Sequence, residues 1–160
     1  MKAIVFDIDG VLIDPQKRLR KCLEKVNATS IKKLHGKKRK EFWDCFLSEA
    51  YMNLDEPIQE NIAKLREMKD KGYYIILITG RREDRQKNKT LEQLDEWNIP
   101  YNKIYFRKAY DKRRDYVYKS SLIKKLIRQG FEIIEVWDDS EKVIEKLKQI
   151  LPNAKIVIPS

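Results

Sequence analysis

The chain has 160 residues, which suits a single domain able to bury roughly 70% of its unfolded surface, so its core needs neither disulfide nor metal. Charged residues make up 38%, against ~25% in an average domain, a composition that suits a heat-adapted protein laced with surface ion pairs. The net charge of +10 is concentrated in residues 17–40, where eleven Lys and Arg stand against one acid, Glu24. Such a block points to a polyanionic partner or, more plainly, to solvated helix faces. No apolar run approaches the ~18 residues of a membrane span, and the N-terminus turns strand-like at once, leaving no room for a signal peptide. A soluble cytoplasmic protein is expected. Cys22 and Cys45 lack C-x-x-C spacing and read as reduced, packing thiols.

The first element is KAIVFDIDGVLID, residues 2–14. An apolar strand, Ala3 to Ile8, runs directly into Asp7, Asp9 and Asp14. Like charges at that range repel and resist desolvation, so the crowding needs a cause. A hard divalent cation such as Mg²⁺, which takes oxygen ligands, supplies one for Asp7 and Asp9. Gly10 lets the backbone turn off the strand, and Asp14 reads as a turn residue.

About forty residues of helical character follow, 15–56, with an apolar face through Phe42, Trp43, Phe46, Leu47 and Tyr51. A strand-to-helix connection usually takes ~2–6 residues, so this is an insertion. It is expected over the carboxyl end of the first strand, where open α/β sheets bind ligands. His35, the single histidine, reads as solvent-exposed and not catalytic.

Four more apolar runs without alternation, Tyr74 to Thr79, Ile104 to Phe106, Ile133 to Trp137 and Lys155 to Ile158, match strands buried on both faces of a parallel sheet. Helical stripes separate them: Ile58, Ile62, Leu65 and Met68; Leu91, Leu94 and Trp97; Leu122, Ile123, Leu126 and Ile127; Val143, Ile144 and Leu147. The expected fold is a three-layer, Rossmann-like α/β sandwich with a parallel five-stranded sheet, in one domain over 1–160.

Four short motifs fall in one order along these elements. They are DIDGV at the end of the first strand, Thr79-Gly80-Arg81 at the end of the second, Lys119 at the start of the helix after the third, and Asp138-Asp139 at the end of the fourth. Together they resemble the signature of the haloacid dehalogenase (HAD) superfamily, with the insertion as a minimal cap. The resemblance implies a phosphomonoesterase in which Asp7 attacks phosphorus and forms an aspartyl-phosphate. Asp9 would protonate the leaving oxygen and later take a proton from water. Thr79 and Lys119 would bind the transferring phosphoryl group. Mg²⁺ would be held by Asp7, the Asp9 backbone carbonyl and the Asp138–Asp139 pair, with Asp139 the better match to the direct ligand and Asp138 to an outer-shell role. Dehalogenase chemistry would leave the second aspartate and the acidic pair without a purpose.

A narrower resemblance lies in YFRKAYDKRRDYVYKSSLIKKL. Arg107, then Asp115 eight residues later and Lys119 twelve residues later, match the 3′-phosphatase domain of phage-type polynucleotide kinase-phosphatase, as does Thr79-Gly80-Arg81. This implies substrate binding by Gly80, Arg81, Arg107 and Asp115. Arg81 and Arg107 would act as bidentate phosphate forks, with Asp115 orienting Arg107 or Lys119. Tyr101, Tyr105, Tyr110, Tyr116 and Tyr118 are candidates for stacking on bases, though tyrosines beside strands usually pack. No G-x-x-x-x-G-K-[ST] stretch occurs in these 160 residues, so a kinase or ligase partner is expected on a separate polypeptide. The leading expectation is removal of 3′-phosphates from polynucleotide ends or nucleotides. Its rivals are a phosphatase of a small phosphorylated metabolite and a non-catalytic basic nucleic-acid-binding module, which would have no use for a nucleophilic aspartate.

Overall fold

The computed structural model describes residues 1–159. At its centre lies β1 (Lys2–Phe6), which pairs in parallel with β4 (Tyr74–Arg82) on one side and β6 (Glu132–Trp137) on the other. β5 (Lys103–Arg107) flanks β4 and β7 (Lys155–Val157) flanks β6, giving a five-stranded parallel sheet in the order β5-β4-β1-β6-β7.

Because successive side chains of a strand point to opposite faces, the apolar runs split into two cores. Ile4, Phe6, Ile75 and Leu77 face one way and pack with Ile62 and Leu65 of α3 (Gln59–Asp70) and Leu94 of α4 (Glu83–Glu96). Ala3, Val5, Ile76 and Ile78 face the other way, onto Ile123 and Leu126 of α5 (Asp115–Arg128) and Val143 and Leu147 of α6 (Glu141–Ile150). Both faces being covered is why these strands read as unbroken apolar runs.

The chain leaves β1 through β2 (Ile13–Asp14) and returns through β3 (Glu56–Pro57), which pair antiparallel as a short two-stranded neck that sequence reading did not anticipate. Two residues per strand leave no periodicity to detect. Between them stand α1 (Gln16–Lys25) and α2 (Gly36–Phe46), around a third apolar cluster of Cys22, Leu23, Val26, Leu34, Phe42 and Cys45. Asp14 accepts the Gln16 backbone N–H at 2.9 Å, a turn role, and His35 is exposed. Among the described residues no helix is long and apolar enough to cross a membrane.

The expectation of reduced thiols is overturned. Cys22 of α1 and Cys45 of α2 form a disulfide, with Cα atoms 5.8 Å apart. Their 23-residue separation carried no signal, because the pairing exists only once α1 and α2 lie side by side. The bridge staples an insertion whose own core is small. Loop-closure entropy assigns a link of this span about 3 kcal/mol, and a domain of this size loses roughly 2–4 °C of Tm per kcal/mol. Thermal melts with and without a phosphine reductant should therefore differ by about 6–12 °C. Denatured, unreduced protein should take up no alkylating agent; two alkylated cysteines and an unchanged melt would show the bridge absent.

Candidate active site

The chain moves outward from β1 to β4 and β5, then returns to β6 on the other side of β1. Such a reversal opens a crevice at the carboxyl ends of the strands. Every acidic, hydroxyl and ammonium residue marked by the four motifs lies there.

Asp7 follows the last residue of β1 and is buried; one carboxylate oxygen accepts the Ile8 N–H at 2.8 Å. The other faces Lys119 Nζ at 3.2 Å, and that ammonium also meets Asp138 at 2.9 Å and Asp115 at 3.3 Å. Lys119 lies in the first turns of α5, four residues after Asp115, so one helix face presents both. Burial pushes the Asp7 carboxyl well above the usual carboxylate range; Lys119 opposes this, but Asp138, Asp115 and Asp139 add to it. Burial alone would lower the Lys119 ammonium, yet the three carboxylates around it raise it, so it stays charged.

Asp7, Asp138 and Asp139 each offer an oxygen, and these oxygens lie within 4.8 Å of one another. Gly10 leaves room for that approach. Its φ is +84°, and a Cβ there would stand 2.0 Å from Asp139 Oδ2, so a side chain would both strain the turn and displace the carboxylate. The residues present fit a hard divalent cation: the donors are all oxygen, and a single ammonium leaves the cluster net negative.

The Asp9 carboxylate stands apart from that cluster. Its oxygens receive Arg81 Nε at 3.1 Å, Arg81 Nη2 at 2.7 Å and Arg18 Nη2 at 2.8 Å. Burial would raise its carboxyl, but the Arg81 and Arg18 guanidiniums outweigh this and hold it at about 2. Asp9 is therefore ionised at neutral pH, the form of a proton acceptor.

Arg81 is not available as the phosphate fork that the resemblance implied. All five of its N–H groups are engaged, by Asp9 twice and by Thr90, Gln93 and Asp55. Arg18, fully buried, adds Asp55 at 3.0 Å and the Phe46 carbonyl at 3.0 Å to its Asp9 contact. Arg18, Asp55, Thr90 and Gln93 escaped sequence reading. Thr90 and Gln93, three apart on the buried face of α4, were the only signal.

Arg107 is better placed as a fork. It ends β5 and lines the cleft; its Nε donates to the Asp111 carbonyl at 3.2 Å and its Nη1 lies 3.6 Å from Asp115. Asp115 thus stands between Arg107 and Lys119. Thr79 is buried, and its hydroxyl oxygen accepts the Arg81 N–H at 3.1 Å. Beside it, a Cβ on Gly80 would come within 3.3 Å of Asp115.

The tyrosines do not form a stacking surface. Tyr101, Tyr105, Tyr116 and Tyr118 pack into the two sheet cores, and the Tyr118 hydroxyl donates to the Thr79 carbonyl at 3.1 Å. Tyr110 is exposed. Of the basic block, Arg39 lines the cleft and Arg18 is buried beneath it, while Lys17, Lys21, Lys37 and Lys40 pair with nearby acids at the surface.

A desolvated carboxylate among others is destabilising at neutral pH. A raised carboxyl means that the folded chain binds its proton more tightly than the unfolded chain. The penalty is therefore present above the raised value and relieved as pH falls through it. In EDTA at pH 7–8, Asp7→Asn should melt several degrees above wild type, each unit of raised carboxyl carrying about 1.4 kcal/mol. The gap should close on acidification. A variant that melts lower at neutral pH would contradict this electrostatic picture.

Comparisons with known proteins bear on the family and the fold. Residues 35–152, nearly three quarters of the chain, match the family model described as the polynucleotide kinase PNKP phosphatase domain. The matched span holds Thr79, Arg107, Lys119 and the acidic pair; Asp7 and Asp9 precede it, on the strand that pairs with both β4 and β6. Comparison with curated protein sequences returns no match. Among solved structures, the chain resembles one from the Pnkp1/Rnl/Hen1 complex, with 21% identity and a TM-score of 0.73, covering 99% of this chain and 45% of that one. It also resembles one from the Pnkp1/Rnl/Hen1 RNA repair complex, with 21% identity and a TM-score of 0.70, covering 99% and 42%. This chain thus spans less than half the length of either. A haloacid dehalogenase-like hydrolase, SP0104 from Streptococcus pneumoniae, matches with 12% identity and a TM-score of 0.68, covering 98% and 83%. The chain belongs to the PNKP phosphatase-domain family and has the haloacid dehalogenase fold.

Proposed function

We propose that this chain removes terminal 3′-phosphates from polynucleotides through an aspartyl-phosphate on Asp7, with Mg²⁺ as cofactor, in the cytoplasm. The observation that carries the reading is the buried Asp7 carboxylate beside Lys119, at the floor of a cleft whose wall includes Arg107.

Asp7, Asp138 and Asp139 would hold the cation, Asp139 directly and Asp138 in an outer role, with the Asp9 backbone carbonyl as a further ligand. When bound, it would neutralise the carboxylate cluster and the entering phosphate, two anions that must otherwise repel. Lys119 contributes a fixed positive charge, Thr79 a hydroxyl donor, and Arg107, steadied by Asp115, a fork for the non-bridging oxygens. The Asp7 oxygen forms a bond to phosphorus as the bond from phosphorus to the 3′-oxygen breaks.

The leaving oxygen needs a proton, and Asp9 begins without one. A phosphate monoester has its second pKa near 6, so its monoanion carries a proton into the site. In this reading Asp9 relays that proton to the 3′-oxygen. Water then attacks the phosphorus of the aspartyl-phosphate as the bond from phosphorus to the Asp7 oxygen breaks; Asp9 accepts the water proton and passes it to the departing phosphate, so that Asp7 and Asp9 are both restored. Arg81 and Arg18 keep Asp9 aimed for both transfers. The ends that such an enzyme clears would pass to a kinase or ligase on another polypeptide, a partnership suggested by the joint naming of Pnkp1, Rnl and Hen1 in the similar structures.

Phosphate release should be measured from a 3′-phosphorylated oligonucleotide, its 5′-phosphorylated isomer and a set of sugar phosphates. The expected result is preference for the 3′ end, abolished by EDTA and reduced at least about 10³-fold by Asp7→Asn, which removes the nucleophile. Fast turnover of a sugar phosphate with no oligonucleotide activity would replace this reading with a metabolite phosphatase.

A further inference from the structure

The cleft, about 920 Å³ in volume, has walls of different chemistry. Its floor and the side formed by β5 and the loop after it are charged, with Asp7, Lys119, Arg107 and Lys112. The facing side comes from α2 and the residue after it: Arg39, Trp43, Phe46 and Leu47. These fall at i, i+4, i+7 and i+8, a single helix face. Phe42 and Cys45 are buried in the insertion core against α1, and Trp43 and Phe46 pack partly against that same core. Trp43 and Phe46 therefore reach from the edge of the insertion core into the cleft wall.

A site that bound phosphate alone would need cations and N–H donors, and an indole would serve no purpose in its wall. Trp43 is nevertheless half-buried in that wall and held in place. Phe42 and Phe46 meet its ring edge-on, with centroids 5.0 and 5.9 Å away at 80° and 81°. Phe46 is itself fixed by the Arg18 guanidinium, 4.4 Å from its ring centroid. Through Arg18, the aromatic wall is tied to Asp9. The Arg39 guanidinium lies 6.0 Å from the Trp43 ring centroid, so a positive charge adjoins the indole at the cleft surface.

We propose that α2 forms a subsite for the terminal nucleobase, with Trp43 as the stacking platform and Arg39 as the contact for the next backbone phosphate. The inference rests on the reading of the floor as a 3′-phosphate site. An aromatic plane beside cations is the arrangement that binds single strands with little sequence preference, since every base offers a π-face and every linkage a charge. The cleft volume lies within the ~300–1,000 Å³ of ligand sites. The occupant is therefore a nucleotide at a strand end, its phosphate on the floor and its base against the insertion.

The test compares two 3′-phosphorylated oligonucleotides, identical except that one ends in an ordinary nucleotide and the other in an abasic residue. Their kcat/KM ratio is measured in wild type, Trp43→Ala and Trp43→Phe with Mg²⁺ present. Because each ratio comes from one preparation, loss of folded protein cancels. The wild type should favour the terminal base by roughly 5- to 150-fold, the range expected for base–aromatic stacking. Trp43→Ala should bring the ratio near one, and Trp43→Phe should keep most of it. Equal turnover of both oligonucleotides by the wild type would overturn the subsite while leaving the 3′-phosphatase reading intact. An undiminished preference in Trp43→Ala would overturn the assignment to Trp43. Turnover of neither oligonucleotide alongside hydrolysis of sugar phosphates would remove the 3′-phosphatase reading and the subsite with it.

Discussion

The Asp7 carboxylate is buried at the end of the central strand, 3.2 Å from one ammonium and inside a group of further carboxylates. Without a counter-charge such a group is expensive to desolvate, and its proton affinity rises accordingly. Much of the surrounding architecture can be understood as the means of keeping it there. β1 lies between β4 and β6, so Thr79 and the acidic pair arrive at the same end of the sheet. α5 begins at Asp115 and carries Lys119 four residues on, beside Asp7 and Asp138. Gly10 gives up its side chain so that Asp139 can close the cluster. Lys119 offsets only part of the negative charge, which is the electrostatic state that a cation would complete.

A second network joins the sheet to the insertion. Arg81 from β4 and Arg18 from α1 both grip Asp9 and Asp55, and among the described residues no buried side-chain nitrogen or oxygen lacks a partner. Burial raises the Asp55 carboxyl, although Arg18 and Arg81 oppose it. Removing one member of such a network leaves its partners charged and dry, typically at a cost of about 3–5 kcal/mol. The insertion is therefore more than a lid over the cleft. Through Arg18 of α1 it supplies one of the three guanidinium hydrogen bonds to Asp9, and the Cys22–Cys45 bridge ties α1 to α2, whose Phe46 carbonyl holds that arginine.

The sheet and the clustered carboxylates were legible because each left a local mark. Ala3 to Ile8 and Tyr74 to Thr79 are apolar without alternation, which only burial on both faces explains. Asp7, Asp9, Thr79 and the Asp138–Asp139 pair stand at strand ends, where a core residue has no reason to be polar. Arg18 left no such mark, because one buried arginine among exposed lysines looks like its neighbours, and its partner Asp55 is 37 residues away. The reading of Arg81 as a phosphate fork failed for the same reason: its five acceptors come from Asp9 in the turn after β1, from α4 and from the insertion. Tyr101, Tyr105, Tyr116 and Tyr118 were candidate base contacts by composition, yet strand pleating and helix packing turned them inward. Trp43, counted in the apolar face of the insertion, packs partly against that core and also lines the cleft.

The central claim is that the carboxylates crowd because a divalent cation completes them, and cation binding tests it without any substrate. Calorimetric titration of Mg²⁺ into metal-free protein at neutral pH should show one saturable site. That site should be lost in Asp7→Asn and in Asp139→Asn. An isotherm with no binding, or one unchanged in Asp139→Asn, would contradict the account.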